Sequence, residues 1–152
     1  MANTQAMCTA FKADILNGKH AFGASVIRAA TTKDAYKAAL YLASATRGAG
    51  DTGYTATGEV AGTNYAAGGV AITTADAPAT TGTTAFFTPS ASIVFTNVTL
   101  ATAFDAVLIY NDTSAGKLAV SVHTFGSQTV TAGDFTLTMP TNDATTGLIR
   151  IA

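Results

Sequence analysis

AVLIYNDTSAGKLAVSVHTF, residues 106–125, holds two runs of apolar and β-branched residues, Ala106–Tyr110 and Leu118–Phe125, around the turn formers Asn111, Asp112 and Gly116. β-Branched and aromatic side chains suit a pleated strand, and Asn, Asp and Gly close turns, so the stretch predicts strand, turn, strand. The same grammar repeats on both sides. Val70–Thr74, Ala85–Thr88, Ser92–Asn97, Phe135–Met139 and Leu148–Ile151 are further short runs of this kind. Turn signals separate them: Asp76 to Pro78 with Gly82, Pro89-Ser90, Ala132-Gly133-Asp134, and Pro140 to Asp143. Seven such runs after residue 69, with one or two before it, give eight or nine strands. That spacing predicts a mainly β chain, an antiparallel β-sandwich of jelly-roll-like form.

The N-terminal part reads differently. Met7, Phe11 and Ile15 recur at spacing four, with Thr4 placed to cap and Asn17-Gly18 to stop, which predicts a short helix or arm within residues 1–20. Residues 21–152 are expected to form one β-sandwich domain. Within it, residues 35–45 satisfy helix and strand patterns equally by local periodicity. Residues 48–69, GAGDTGYTATGEVAGTNYAAGG, carry seven glycines in 22 positions, which predicts a long Gly-rich loop of functional or partner-ordered kind.

Composition narrows the function. The 152 residues carry 8 Lys+Arg against 9 Asp+Glu, and 11% charge excludes the basic face that an electrostatic nucleic-acid binder needs. Ala (32) and Thr (28) dominate, so much of the 48% hydrophobic fraction is small and the core must be thin. A chain of this kind has little charge to keep copies apart, which favours assembly or docking on a partner. The one cysteine, Cys8, can close no internal disulfide, and no signal peptide or run of about 18 apolar residues is expected to direct the chain to a membrane.

Constellations for chemistry are sparse. The single Glu, Glu59, sits in the Gly-rich loop, and no spacing pairs it with one of the eight Asp as a general acid/base couple. His20, His123 and Cys8 have no metal-ligand spacing. Gly48-Ala-Gly50-Asp-Thr-Gly53 matches the dinucleotide string, but Tyr54-Thr-Ala-Thr-Gly58 cannot open the helix that would hold a pyrophosphate. Asp105, Asn111, Asp112, Asp134, Asn142 and Asp143 lie near strand ends, where turn closure is a simpler role than a calcium cage. No catalytic, cofactor or metal residue is therefore assigned, and the chain is not expected to be an enzyme. The aromatics are the candidate contacts: Tyr54 and Tyr65 in the loop, and Phe86-Phe87, whose rings fall on opposite faces of one strand.

The order Tyr36-Lys-Ala-Ala-Leu40-Tyr41, then residues 54–69, then Val94-Phe-Thr-Asn-Val-Thr-Leu100, then Ala106-Val-Leu-Ile-Tyr110-Asn111 resembles small virion structural proteins of tailed bacteriophages. Among them, capsid cement or decoration proteins match the size and strand count best. The resemblance implies a dimer or trimer on the capsid exterior, over junctions of the major capsid protein, made in the host cytoplasm and needing neither nucleic acid nor membrane. It also implies that residues 35–45 form a strand. The alternative is a tail- or fibre-associated protein that stacks a host carbohydrate or receptor on Tyr54, Tyr65 or a Phe86-Phe87 ring.

Overall fold

A computed structural model describes residues 3–8, 10–11, 15, 19–20, 33–74 and 78–151. They form antiparallel sheets packed as a β-sandwich. The strands are β1 (Ala6–Met7), β2 (Tyr36–Leu42), β3 (Val70–Ile72), β4 (Ala79–Thr81), β5 (Thr84–Phe87), β6 (Ile93–Asn111), β7 (Ala119–Leu137) and β8 (Ile149–Ile151). A five-stranded sheet has the order β1-β7-β6-β2-β3, and a three-stranded sheet has β4-β5-β8. Three pairs of successive strands, β2–β3, β4–β5 and β6–β7, lie side by side in one sheet. That arrangement does not confirm the sheet-to-sheet alternation of a jelly roll.

Several expected boundaries move. The runs at 92–97 and 106–110 are one 19-residue strand, β6, and those at 118–125 and 135–139 are its 19-residue partner, β7. The expected turn at Ala132-Gly133-Asp134 is a bulge instead. Ala132 has φ 46°, and the pairing slips between Val98↔Gly133 and Leu100↔Val130. Glycine and a left-handed residue serve a bulge as readily as a turn. The strand expected at 35–45 is present as β2. The helix expected across 4–16 is not continuous: Ala6 and Met7 pair antiparallel with Val122 and Ser121, while Ala10, Phe11 and Ile15 are helical. Thr4 does not cap; its backbone N–H donates to Arg47 O at 2.9 Å. Asn17 and Gly18 lie outside the described residues.

The β6–β7 hairpin organises the core. Gln128 lies opposite Phe104, yet the ring of Phe135, seven residues further along β7, sits 4.9 Å from Phe104 between centroids. Seven residues of straight strand would span about 23 Å. The ribbon is therefore bent back on itself, and its register slips between Leu100 and Phe104 and between Phe104 and Ala106 mark the bend. Phe95, Phe104, Phe125 and Phe135 meet on the concave side in edge-on and tilted contacts. Phe87 and Ile149 of the small sheet join the same core.

Candidate functional site

The Gly-rich excursion is held by its own chain rather than left for a partner. Ala119 N–H donates to Thr52 O, Tyr54 N–H to Lys117 O, Leu42 N–H to Gly58 O and Val60 N–H to Leu40 O, at 2.9–3.1 Å. These bonds lay residues 52–60 against β7 at one end and β2 at the other. A bridge from Thr63 to Thr99 carries the chain on to β6.

Glu59 is the hub of this excursion. Its Oε2 accepts the Tyr54 hydroxyl at 2.6 Å, and its Oε1 accepts the Tyr65 hydroxyl at 2.7 Å and the Gly68 N–H at 2.8 Å. Tyr65 Oη in turn accepts the Leu40 N–H at 3.0 Å, and the Tyr110 hydroxyl donates to Gly68 O at 2.7 Å. Both lone-pair-rich oxygens are thus committed to phenols and an amide, a dense charge-assisted set. Burial, and then the bond to Glu59, raises the phenol pKa of both Tyr54 and Tyr65. Burial raises Tyr41 to about 12, while its hydroxyl donates to Thr55 O at 2.6 Å. The aromatic faces are used as well: Tyr54 stacks on Tyr110 at 4.9 Å and Tyr65 on Phe95 at 5.8 Å.

Of the four aromatic residues expected as contacts, Tyr54 and Tyr65 are thus brought together through one carboxylate, both half-buried. Phe86 and Phe87 are elsewhere. Alternation along a strand leaves open whether one of their rings meets solvent or is covered by the chain itself, and in the structure both residues are buried, at 8% and 4% exposed. Successive side chains on β5 point to opposite faces, so Phe87 faces the main core while Phe86 lies beside Gly147 on the other side.

The other polar candidates close structure. Asp51 Oδ2 accepts Gly48 N–H at 2.8 Å and its carboxylate pairs with Arg47 at 3.2 Å, so Gly48–Gly53 ends in a turn with no helix behind it. Asn111 Oδ1 accepts the N–H groups of Thr113 and Ser114, Asp143 Oδ1 those of Thr145 and Thr146, and Asp134 Oδ1 that of Asn97. Asp105 accepts from Asn3, and Asp112 pairs with Lys117 and Lys37. Among the described residues no three His, Cys, Asp or Glu side chains converge as a metal site, and no helix is long and apolar enough to cross a membrane.

Cys8 is fully buried and burial pushes its thiol up to about 11. A thiol of that pKa is almost wholly protonated at pH 8 and shielded from reagent. Folded protein is expected to resist iodoacetamide at pH 8 and to be labelled fully in urea, as read by intact mass. Rapid labelling of the folded chain would contradict this burial.

His123 sits on β7 with Nε2 2.9 Å from Ser121 Oγ, and burial lowers its pKa from 6.5 to about 4. The unfolded chain then takes up a proton at higher pH than the folded one. The neutral ring costs no stability above pH 6.5; below it stability falls, by up to about 3 kcal/mol near pH 4. The stability difference between wild type and His123→Gln is expected to shift against wild type over that window. A pH-independent difference would show that the ring titrates alike in both states.

One surface has no counterpart among the residues singled out from the sequence. At the bend of the hairpin, Ala101, Thr102 and Ala103 on β6 and Gly126, Ser127, Gln128 and Thr129 on β7 are all exposed, and none is charged. The strands leading to this elbow continue the pattern. Residues 60–104 contain one charged side chain, Asp76, and residues 118–142 one, Asp134. The paired charges Lys37, Asp112 and Lys117 gather instead at the β6–β7 turn. The charge-free tracts are visible in the sequence; that two of them meet at one protruding elbow requires the bulges.

No protein-family model, curated protein or solved structure matches the chain.

Proposed function

We propose that the chain is a virion structural protein of a tailed bacteriophage, a capsid cement protein that binds the exterior of the assembled shell and stabilises it. The observation that carries this reading is the uncharged elbow at Ala101–Ala103 and Gly126–Thr129, exposed on a sandwich whose Glu59 carboxylate and Tyr54 and Tyr65 phenols are spent on internal bonds. Uncharged side chains lose less on desolvation than charged ones, and small ones on a strand surface allow close backbone approach, which fits contact with a protein shell. The resemblance carried by residues 36–41, 54–69, 94–100 and 106–111 supports the same class.

By sequence, residues 48–69 and the N-terminal segment are the natural contact candidates; the elbow is a further exposed, uncharged surface, and it is the one on which this reading rests. A ligand that binds the mature shell and not its dissociated parts stabilises it by mass action, and many copies spanning neighbouring capsomers add through effective concentration. The tail-associated alternative draws less support from the geometry, because the half-buried Tyr54 and Tyr65 rings are already stacked on Tyr110 and Phe95, and Phe86 and Phe87 are buried.

Particles assembled without the chain are expected to lose their genome at lower temperature while adsorbing to cells normally. Undiminished heat resistance combined with failed adsorption would transfer the chain to the tail.

A further inference from the structure

A cleft of about 520 Å³ opens between the large sheet and the C-terminal stretch that leads into β8. Its volume falls within the range of small-molecule sites, about 300–1,000 Å³. The walls are mainly apolar: Met7, Val107, Ile109, Phe125, Met139 and Leu148 supply them. Six polar side chains interrupt this lining, Gln5, His123, Thr124, Thr138, Thr146 and Arg150, and the two nitrogen-bearing ones that carry the argument, His123 and Arg150, lie on opposite sheets.

Arg150, on β8, is the one formal charge among the lining residues. Its Nη1 reaches only Ala144 O, at 3.4 Å, and no carboxylate among the described residues lies within ion-pair distance of it. His123, on β7, commits Nε2 to Ser121 Oγ at 2.9 Å, and its Nδ1 has no protein partner among the described residues. An unpaired guanidinium on an apolar cleft selects a ligand with one anionic end, since its fork of N–H donors matches a carboxylate in two-point geometry. The hydrocarbon lining selects an apolar remainder for the same ligand. An alkyl chain removes its surface from water there, at about 25 cal/mol per Å².

We infer that this cleft is a binding site for an alkyl carboxylate, with the carboxylate on Arg150, the chain along Val107, Ile109 and Phe125, and the imidazole of His123 as a hydrogen-bonding group on the facing wall. The site adjoins the elbow, Phe125 of its lining preceding Gly126, but uses none of the elbow's exposed residues, and the inference holds whatever the chain's role in a particle. A ligand seated here ties β8 to β7 and raises the stability of the sandwich by mass action.

Calorimetric titration of the purified chain with decanoate and with 1-decanol tests the site. Decanoate is expected to bind once per chain, raise the melting temperature, and shift amide resonances of Val107, Ile109 and His123. Arg150→Gln, at an exposed strand residue, should weaken decanoate about tenfold, the value of one charge-assisted bond, and leave decanol unchanged. Met139→Trp should block both ligands by filling the cleft; if it does not fold, Arg150→Gln decides alone. Decanoate affinity indifferent to Arg150→Gln, resonance shifts elsewhere in the molecule, or no saturable binding would each overturn the assignment.

Discussion

Glu59→Ala is expected to cost about 3 kcal/mol of stability, because it strands three donors at once: the Tyr54 and Tyr65 hydroxyls and the Gly68 N–H. Each partly buried donor left without an acceptor costs about 1–3 kcal/mol, and residual access of water to the half-buried site keeps the sum near the lower end. The loss should spread, since Gly68 O also accepts from Tyr110 and Tyr65 Oη also accepts from Leu40, tying the excursion to β6 and β2. Glu59→Gln keeps one carbonyl oxygen and should lose about half as much. Urea unfolding gives the ranking wild type, Gln, Ala, and proteolysis of the Ala variant should cut first within residues 52–68. An Ala variant within about 0.5 kcal/mol of wild type would mean that the excursion stands without its carboxylate.

The second large effect is expected at Gly69. Its φ is +72°, and a Cβ there would lie 1.8 Å from Ala38 O. Ala38 is fully buried in β2 and pairs with Val70, so its carbonyl cannot retreat without shifting the β2–β3 pairing. Gly69→Ala combines left-handed strain with a backbone collision and should lose about 3 kcal/mol or more. Gly50→Ala is the control: nothing lies within 4 Å of the added carbon, and stability should stay within about 0.5 kcal/mol. Equal stabilities for the two variants would contradict the close passage of the excursion over β2.

Strand content was legible in this chain because β-branched runs and Asx–Gly turns are local signals. Val107, Leu108 and Ile109 read as strand from their own side chains, and Asn111 to Gly116 is the turn that joins β6 to β7. What was not legible depended on meetings between distant residues. Ala132-Gly133 has the chemistry of a turn and forms a bulge, because the partner strand β6 runs on past it. Met7 fits a helix by its spacing to Phe11, but the free edge of β7 at Ser121–Val122 draws it into a strand pair. Phe86-Phe87 alternates as a half-exposed strand would, and what covers both faces of β5 comes from distant chain: the main core over Phe87, and the stretch at Gly147 beside Phe86.

The carboxylate hub was hidden for a related reason. Tyr54, Glu59, Tyr65 and Gly68 share no helical or strand period. They converge because Gly58 and Gly68, at φ 77° and 90°, turn the chain back towards Glu59. A lone Glu in a Gly-rich loop can be read as a catalytic acid or as a structural acceptor, and its three donors assign it the second role in this fold.

Sedimentation of the purified chain with shells that lack it tests most directly whether the elbow is a shell contact. Wild type is expected to bind in proportion to shell area, at hundreds of copies per particle, and to restore heat resistance. Thr102→Lys with Gln128→Lys, two exposed positions, should abolish that binding while leaving the melting temperature of the free protein unchanged. Failure of wild type to bind shells, or full binding by the double variant, would contradict the account.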